Sequence, residues 1–264
     1  MKTKITSVIS LALVAILLLC SFAACNEGEN SGKPHATTQD YTYKTDVAPV
    51  ASILNTTDDA YLVLANKSVV VGQDYVPKNL TLINSKYTRN GKELYLESYA
   101  AKAAEALIKE LAAHGYIVYI TSAYRSYEYQ QTLYNTYFEQ EKASHPSWTD
   151  EQIKEQVLTY SAYPGTSEHQ TGLCVDFITD EMEGLWNYGS ETPNNPYDKG
   201  FAETSAYAWL LENAHKFGFI LRYPEDKTDV TGYSYESWHY RFVGVSAATE
   251  IYEQGITLEE YLGK

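Results

Sequence analysis

Between Leu96 and Tyr116 the chain sets Ala100, Ala104, Leu107, Ile108 and Leu111 at helical spacing, which gives one apolar face and predicts an amphipathic helix. Gly115 is a natural residue just past its end, and His114 falls in the last turn, where partial positive charge is favoured. The stretch YIVYITSAYRS that follows reads as a buried strand. Ser126 then suits the N-cap of a second helix, SYEYQQTLYNTYFEQ. A third helix is predicted over TDEQIKEQVLTY, opened by Thr149 and Gln152 at capping-box spacing. The turn YPGTSEHQTG runs into the apolar strand LCVDFIT. ETSAYAWLLENAHKFGF is expected as a fourth helix stopped by Gly218, and FILRYP and ESWHYRFVG as closing strands. VSAATEIYEQG and TLEEYLGK supply a final helix and tail. Upstream, YLVLANKSVVV alternates as a strand and turn would, and DYVPKNLTLI is expected to be extended because Pro77 biases Val76 away from helix. EMEGLWNYGSETPNNPYDKGF is rich in Gly, Pro and Asn and reads as loop. There is no internal repeat. Strands and helices mix without a βαβ cadence, so the expected class is α+β.

The first residues follow a different pattern. MKTK supplies positive charge, VISLALVAILLLC is an apolar run too short to span a bilayer comfortably, and SFAAC offers small residues before Cys25. This reads as a secretory signal over residues 1–25. It also resembles a bacterial lipobox, which implies lipidation of Cys25; Phe22 is less usual there, and cleavage near Ala24 is the alternative. A lipid at Cys25 would tether an exported protein to the outer face of the cytoplasmic membrane. Residues 26–46, NEGENSGKPHATTQDYTYKTD, are polar and aperiodic and are expected to form a flexible tether. Residues 47–264 then form a single domain.

Composition narrows the function. The chain has 264 residues, 44% apolar and 20% charged, which is ordinary for a globular protein. A net charge of −14 with no Lys/Arg cluster argues against a nucleic-acid partner. Twenty-five tyrosines, flat apolar bodies with polar tips, suit half-buried strand positions and the walls of polar grooves. If Cys25 is lipidated, Cys174 has no disulfide partner, and stability must come from the core or from a metal. A monomer is expected.

Six histidines can be sorted by position. His35 lies in the tether, His145 in a polar loop, and His114 and His215 at helix ends. His169 and His239 remain, each in a dense polar setting inside an apolar segment. Asp176 stands between Val175 and Phe177, where a carboxylate needs a turn, an arginine or a cation to satisfy it. Two histidines and an aspartate make a three-ligand zinc set with one position open for water. Glu236 is then placed to act as general base. In a straight strand, residues three apart face opposite ways, so this role requires strand geometry to begin only near Trp238, with Glu236 on the incoming loop. Arg125 sits where a strand breaks into a helix. It would serve either as a structural bridge or as a stabiliser of developing negative charge, and Gln130 could reach the same pocket.

Three stretches together, SAYRSYEYQ, GTSEHQTGLCVDF and ESWHYRFVG, resemble the signatures of the VanY-type D-alanyl-D-alanine carboxypeptidases, zinc peptidases of the LAS group. The resemblance covers roughly 60 to 250. The family pattern is SxHxxGxAxD for the first two ligands and ExWH for the third. The resemblance implies a central antiparallel sheet with flanking helices, also seen in hedgehog-type domains. It implies His169, Asp176 and His239 as ligands of Zn2+, Glu236 as catalytic base and Arg125 as stabiliser of the tetrahedral intermediate. Ser167, Gln130 and Trp238 match the substrate-lining set. The implied substrate is the peptidoglycan stem peptide, from which the terminal D-alanine would be removed. L,D-carboxypeptidase or endopeptidase action, or a non-catalytic wall-binding module, are the alternatives. Two positions depart from the pattern. Ser237 stands where many relatives have proline, and Cys174 replaces the usual alanine. By period two, Cys174 shares the face of Asp176, which brings a thiol near the metal and with it sensitivity to oxidation.

Overall fold

The computed structural model describes residues 41–47, 59–182 and 200–264, all within one compact unit, residues 35–264. The leader, Cys25, most of the polar tether and most of the 181–201 loop lie outside the described residues.

Six strands are described: β1 (Leu80–Leu82), β2 (Tyr95–Glu97), β3 (Val118–Ser122), β4 (Cys174–Thr179), β5 (Phe219–Leu221) and β6 (His239–Phe242). β1 and β2 form an antiparallel pair. The other four form a sheet in the order β3-β4-β6-β5, antiparallel throughout. The helices are α1 (Ser98–Ala113), α2 (Tyr127–Ser144), α3 (Asp150–Val157), α4 (Ser205–Asn213), α5 (Thr228–Thr231), α6 (Val245–Gln254) and α7 (Leu258–Leu262). This is the α+β architecture expected, with helices around a central antiparallel sheet.

Local chemistry explains the boundaries. The Glu97 carboxylate accepts from Tyr99 N and Ala100 N and opens α1. Ser126 Oγ accepts from Tyr129 N to start α2, and Thr149 and Gln152 form the capping box of α3. Ala100, Ala101, Ala103, Ala104 and Ala106 of α1 are buried, which lets its backbone come close to the sheet, and Leu107 and Leu111 fill the core beside them. Val175, Phe177, Phe219, Tyr240 and Phe242 join the same apolar cluster. They alternate along their strands with Cys174, Asp176, His239 and Arg241, so the sheet has one greasy face and one face of chemistry.

Four expectations are corrected. YLVLANKSVVV forms no strand: a 3-10 turn spans Asp59–Leu62, and irregular chain follows. Its backbone groups are satisfied partly by side chains and partly by backbone, as in Val71 N donating to Gly165 O at 2.8 Å. Arg241 donates to the carbonyls of Tyr61 and Val63, at 2.9 and 2.7 Å, and Asn66 Oδ1 accepts from Ser68 N and Val69 N. The helix expected over 203–219 is α only to Asn213; Ala214–Phe217 is a 3-10 turn ending at Gly218. Gly218 has φ 81°, and a Cβ there would fall 2.6 Å from the Phe242 ring. The third helix stops at Val157 rather than running to Tyr160. The tether is ordered chain by Tyr41: the backbone of Lys44 and Thr45 donates to buried Glu110 of α1, the Tyr43 ring meets Phe217 edge-on, and Val47 is buried.

Candidate active site

The register of β4 against β6 sets Asp176 directly opposite His239. Opposed residues in an antiparallel pair project to the same face, so the carboxylate and the imidazole meet: Asp176 Oδ1 lies 2.9 Å from His239 Nδ1. His169 arrives from a 3-10 turn, Glu168–Thr171, that leads into β4. That turn closes on Gly172 at φ 68°, where a Cβ would press on Pro77 at 2.9 Å; glycine is the residue that fits. His169 Nε2 lies 3.3 Å from Asp176 Oδ2, and the two imidazoles stand edge to face with centroids 5.0 Å apart.

Both rings are oriented from behind. His169 Nδ1 is 2.6 Å from the Ala123 carbonyl, which can only accept, so Nδ1 carries the proton and Nε2 is left for the cluster. His239 Nε2 donates to Glu168 Oε2 at 3.2 Å, leaving Nδ1 for the cluster. Glu168 is fully buried. It accepts from Arg222 Nε at 2.8 Å and from the Arg241 guanidinium, and these two charges hold its carboxyl well below the usual range although burial alone would raise it. Arg222 also makes a two-pronged pair with Glu259, at 2.8 and 2.6 Å, and Asn66 donates to the same carboxylate. Glu168, Arg222, Arg241 and Glu259 thus form a buried ionic floor under His239. Sequence reasoning passed over all four. The available signal was the presence of arginines inside the apolar strands FILRYP and HYRF.

The strand begins at His239, and His239 N donates to Glu236 O at 3.2 Å in a tight turn. The chain therefore bends where the chemistry required it to bend. Glu236 Oε2 comes within 3.6 Å of His239 Nδ1, on the side away from Glu168. Burial is the main influence on its carboxyl and pushes it up to about 7; Asp176 adds to this, while His239, His169 and Arg125 oppose it.

Arg125, Gln130, Ser167 and Glu236 line one small cleft with His169 and His239. Arg125 NH1 donates to Gln130 Oε1 at 3.0 Å, Gln130 Nε2 donates to the Ala162 carbonyl at 2.8 Å, and Arg125 N donates to the His169 carbonyl at 3.2 Å. The guanidinium is thereby fixed beside the imidazoles, with its buried Nε lacking a protein acceptor. Tyr137, Tyr160, Tyr223 and Tyr233 complete the walls. Of the sequence-predicted site residues, Asp176 and Trp238 are not among those lining the cleft, and only Asp176 meets the two imidazoles, from the sheet. Trp238, next to His239 in the chain, packs against the apolar core.

The donor set fits zinc. His169 Nε2 and His239 Nδ1 each face one oxygen of the Asp176 carboxylate, at 3.3 and 2.9 Å, and both rings have outer partners that fix their other nitrogen. The electrostatics agree. Burial and Arg125 oppose charge on His169, yet Cys174 and Asp176 outweigh them and push it up to about 9. Asp176, which burial alone would raise, is held well below the usual carboxylate range by the two imidazoles. The pocket gathers positive charge, which a divalent cation supplies.

Residues 93–245, more than half of the chain, match the sequence pattern of the VanY family, described as D-alanyl-D-alanine carboxypeptidase. A D-alanyl-D-alanine carboxypeptidase of Enterococcus faecalis is 45% identical over 150 residues, covering 57% of this chain and 49% of that protein. The chain thus spans about half the length of that curated relative. Among solved structures, a mutant of the vancomycin-resistance D,D-pentapeptidase VanY, in complex with Zn(II), is similar at 37% identity and a TM-score of 0.59, covering 77% of this chain and 99% of that one. The LD-carboxypeptidase LdcB is similar at 32% identity and a TM-score of 0.62, covering 76% of this chain and 85% of that one.

Proposed function

Since this chain belongs to the VanY family of D-alanyl-D-alanine carboxypeptidases, we infer that it is a zinc carboxypeptidase that cleaves the terminal D-Ala-D-Ala bond of peptidoglycan stem peptides and releases D-alanine. The observation that carries this reading is the convergence of His169, His239, Glu236 and Arg125 on one cleft, with Asp176 joining the two imidazoles from the sheet.

His169, Asp176 and His239 would hold the zinc, which when bound would supply a Lewis acid and a water of lowered pKa. Glu236 takes the proton from the attacking water and returns it to the departing D-alanine nitrogen. Its partly raised carboxyl suits both acceptance and return. Arg125, held by Gln130, donates to the oxygen on which charge develops. Ser167 and the tyrosine walls confine the peptide. His169 and His239 stay in place because Ala123 O and Glu168 hold their outer nitrogens.

The test is mass analysis of tri-, tetra- and pentapeptide stems incubated with the protein, with and without a chelator. Loss of one alanine from the pentapeptide, abolished by chelation, supports the reading. Trimming of the tetrapeptide alone would instead assign L,D specificity, in line with the likeness to LdcB.

The site of action follows from the leader. Export through the residue 1–25 signal and lipidation at Cys25 would hold the domain on the outer face of the bacterial cytoplasmic membrane, next to its wall substrate. The domain would act there as a monomer, with no nucleic-acid partner. Loss of fatty-acid labelling and release into the medium on Cys25→Ser would support the anchor.

A further inference from the structure

Cys174 is the position at which this chain departs from the alanine of the SxHxxGxAxD pattern. It is fully buried, and it shares a strand face with Asp176 two residues on. Its Sγ and one ring nitrogen each of His169 and His239 all lie within 4.8 Å of one another, a three-donor group of metal-binding kind. The thiol does not line the cleft where Glu236 and Arg125 stand. It reaches the two rings from the sheet, with Arg241 opposite it in the register.

We propose that Cys174 is a sulfur donor to the metal held by His169, Asp176 and His239, giving this chain a mixed nitrogen, oxygen and sulfur site. Alanine at this position offers no donor, so the sulfur is an addition to the family's set. Because the thiol approaches from the sheet, the cleft side stays available for water and substrate. A thiolate donor binds zinc more firmly and favours softer ions such as cadmium. The inference rests on the zinc reading above and not on the identity of the peptide substrate.

The direct test is zinc X-ray absorption on the full chain with Cys20 and Cys25 replaced by serine, so that Cys174 is the sole thiol. The proposal expects a zinc–sulfur shell at about 2.3 Å beside nitrogen and oxygen at about 2.0–2.2 Å. A shell of nitrogen and oxygen alone overturns it. Cys174→Ala should lose the sulfur shell while still taking up zinc, with affinity in a chelator competition weaker by about tenfold or more. Equal affinity of the two proteins would also overturn it. The cobalt-loaded parent should show a sulfur-to-metal charge-transfer band in the near ultraviolet, a readout independent of how well the alanine variant folds. Absence of the sulfur signal with D-alanine release intact sinks this inference alone. Absence of D-alanine release with the sulfur signal intact sinks the substrate reading alone.

Discussion

Two glutamates flank the imidazole of His239, and they occupy opposite worlds. Glu168, on the floor, meets Nε2 at 3.2 Å, has no exposed surface and is clasped by Arg222 and Arg241. Glu236, on the rim, comes within 3.6 Å of Nδ1 and keeps 24% of its side chain exposed. The first carboxyl is pinned far below its ordinary range, the second raised to about 7. Chemistry near neutrality needs the second kind, because a group that never takes up a proton cannot relay one. The comparison teaches that proximity to a metal ligand does not make a residue catalytic. What surrounds the carboxylate decides.

The sharpest way to break this contrast is to neutralise the floor. Glu168→Gln leaves buried guanidinium charge uncompensated and should lower unfolding free energy by about 3–5 kcal/mol in urea titration. A variant as stable as the parent would show that the floor is not an ionic support. Smaller in free energy is the loss expected on the cleft side. Arg125→Ala should lower kcat by about 10²–10³-fold with little change in melting temperature, since Arg125 is only partly buried and donates toward the substrate. Unfolding of that variant, with normal turnover in the surviving fraction, would return Arg125 to a structural role. Gln130→Ala removes the side-chain acceptor that fixes Arg125 and should cost about 1.5–3 kcal/mol of transition-state stabilisation, read from kcat/KM.

The smallest effect concerns pH. Burial would raise the Glu259 carboxyl, but its pairing with Arg222 and the bond from Asn66 outweigh burial and lower it from 4.5. A lowered folded-state pKa gives stability that is present above the unfolded value and lost as the pH falls through the folded one. The melting temperature of the parent should therefore fall more steeply below pH 4.5 than that of Glu259→Gln. Parallel curves would show that the pair adds nothing.

Much of this was legible in the chain. Helical spacing gave α1, and cap chemistry gave the starts of α2 and α3. The required bend before the last strand is present as the Glu236–His239 turn. The floor was not legible, because Glu168, Arg222, Arg241 and Glu259 are brought together from segments up to 91 residues apart, from Glu168 to Glu259, and nothing local pairs them. The alternation of residues 61–71 misled for the same reason. Its carbonyls are claimed by Arg241, a residue 180 positions away from Tyr61, so no strand partner is needed. Trp238 lies beside His239 in sequence, yet it sits in the turn before β6 and packs against the core.

The division of labour between the two glutamates is tested most directly by Glu236→Gln, assayed for zinc content, melting temperature and D-alanine release on one preparation. The rim carboxylate relays the proton in this account, so the variant should keep its zinc and its melting temperature while kcat falls by about 10²–10⁴-fold. Release of D-alanine at the parental rate from a zinc-loaded Glu236→Gln protein would contradict it.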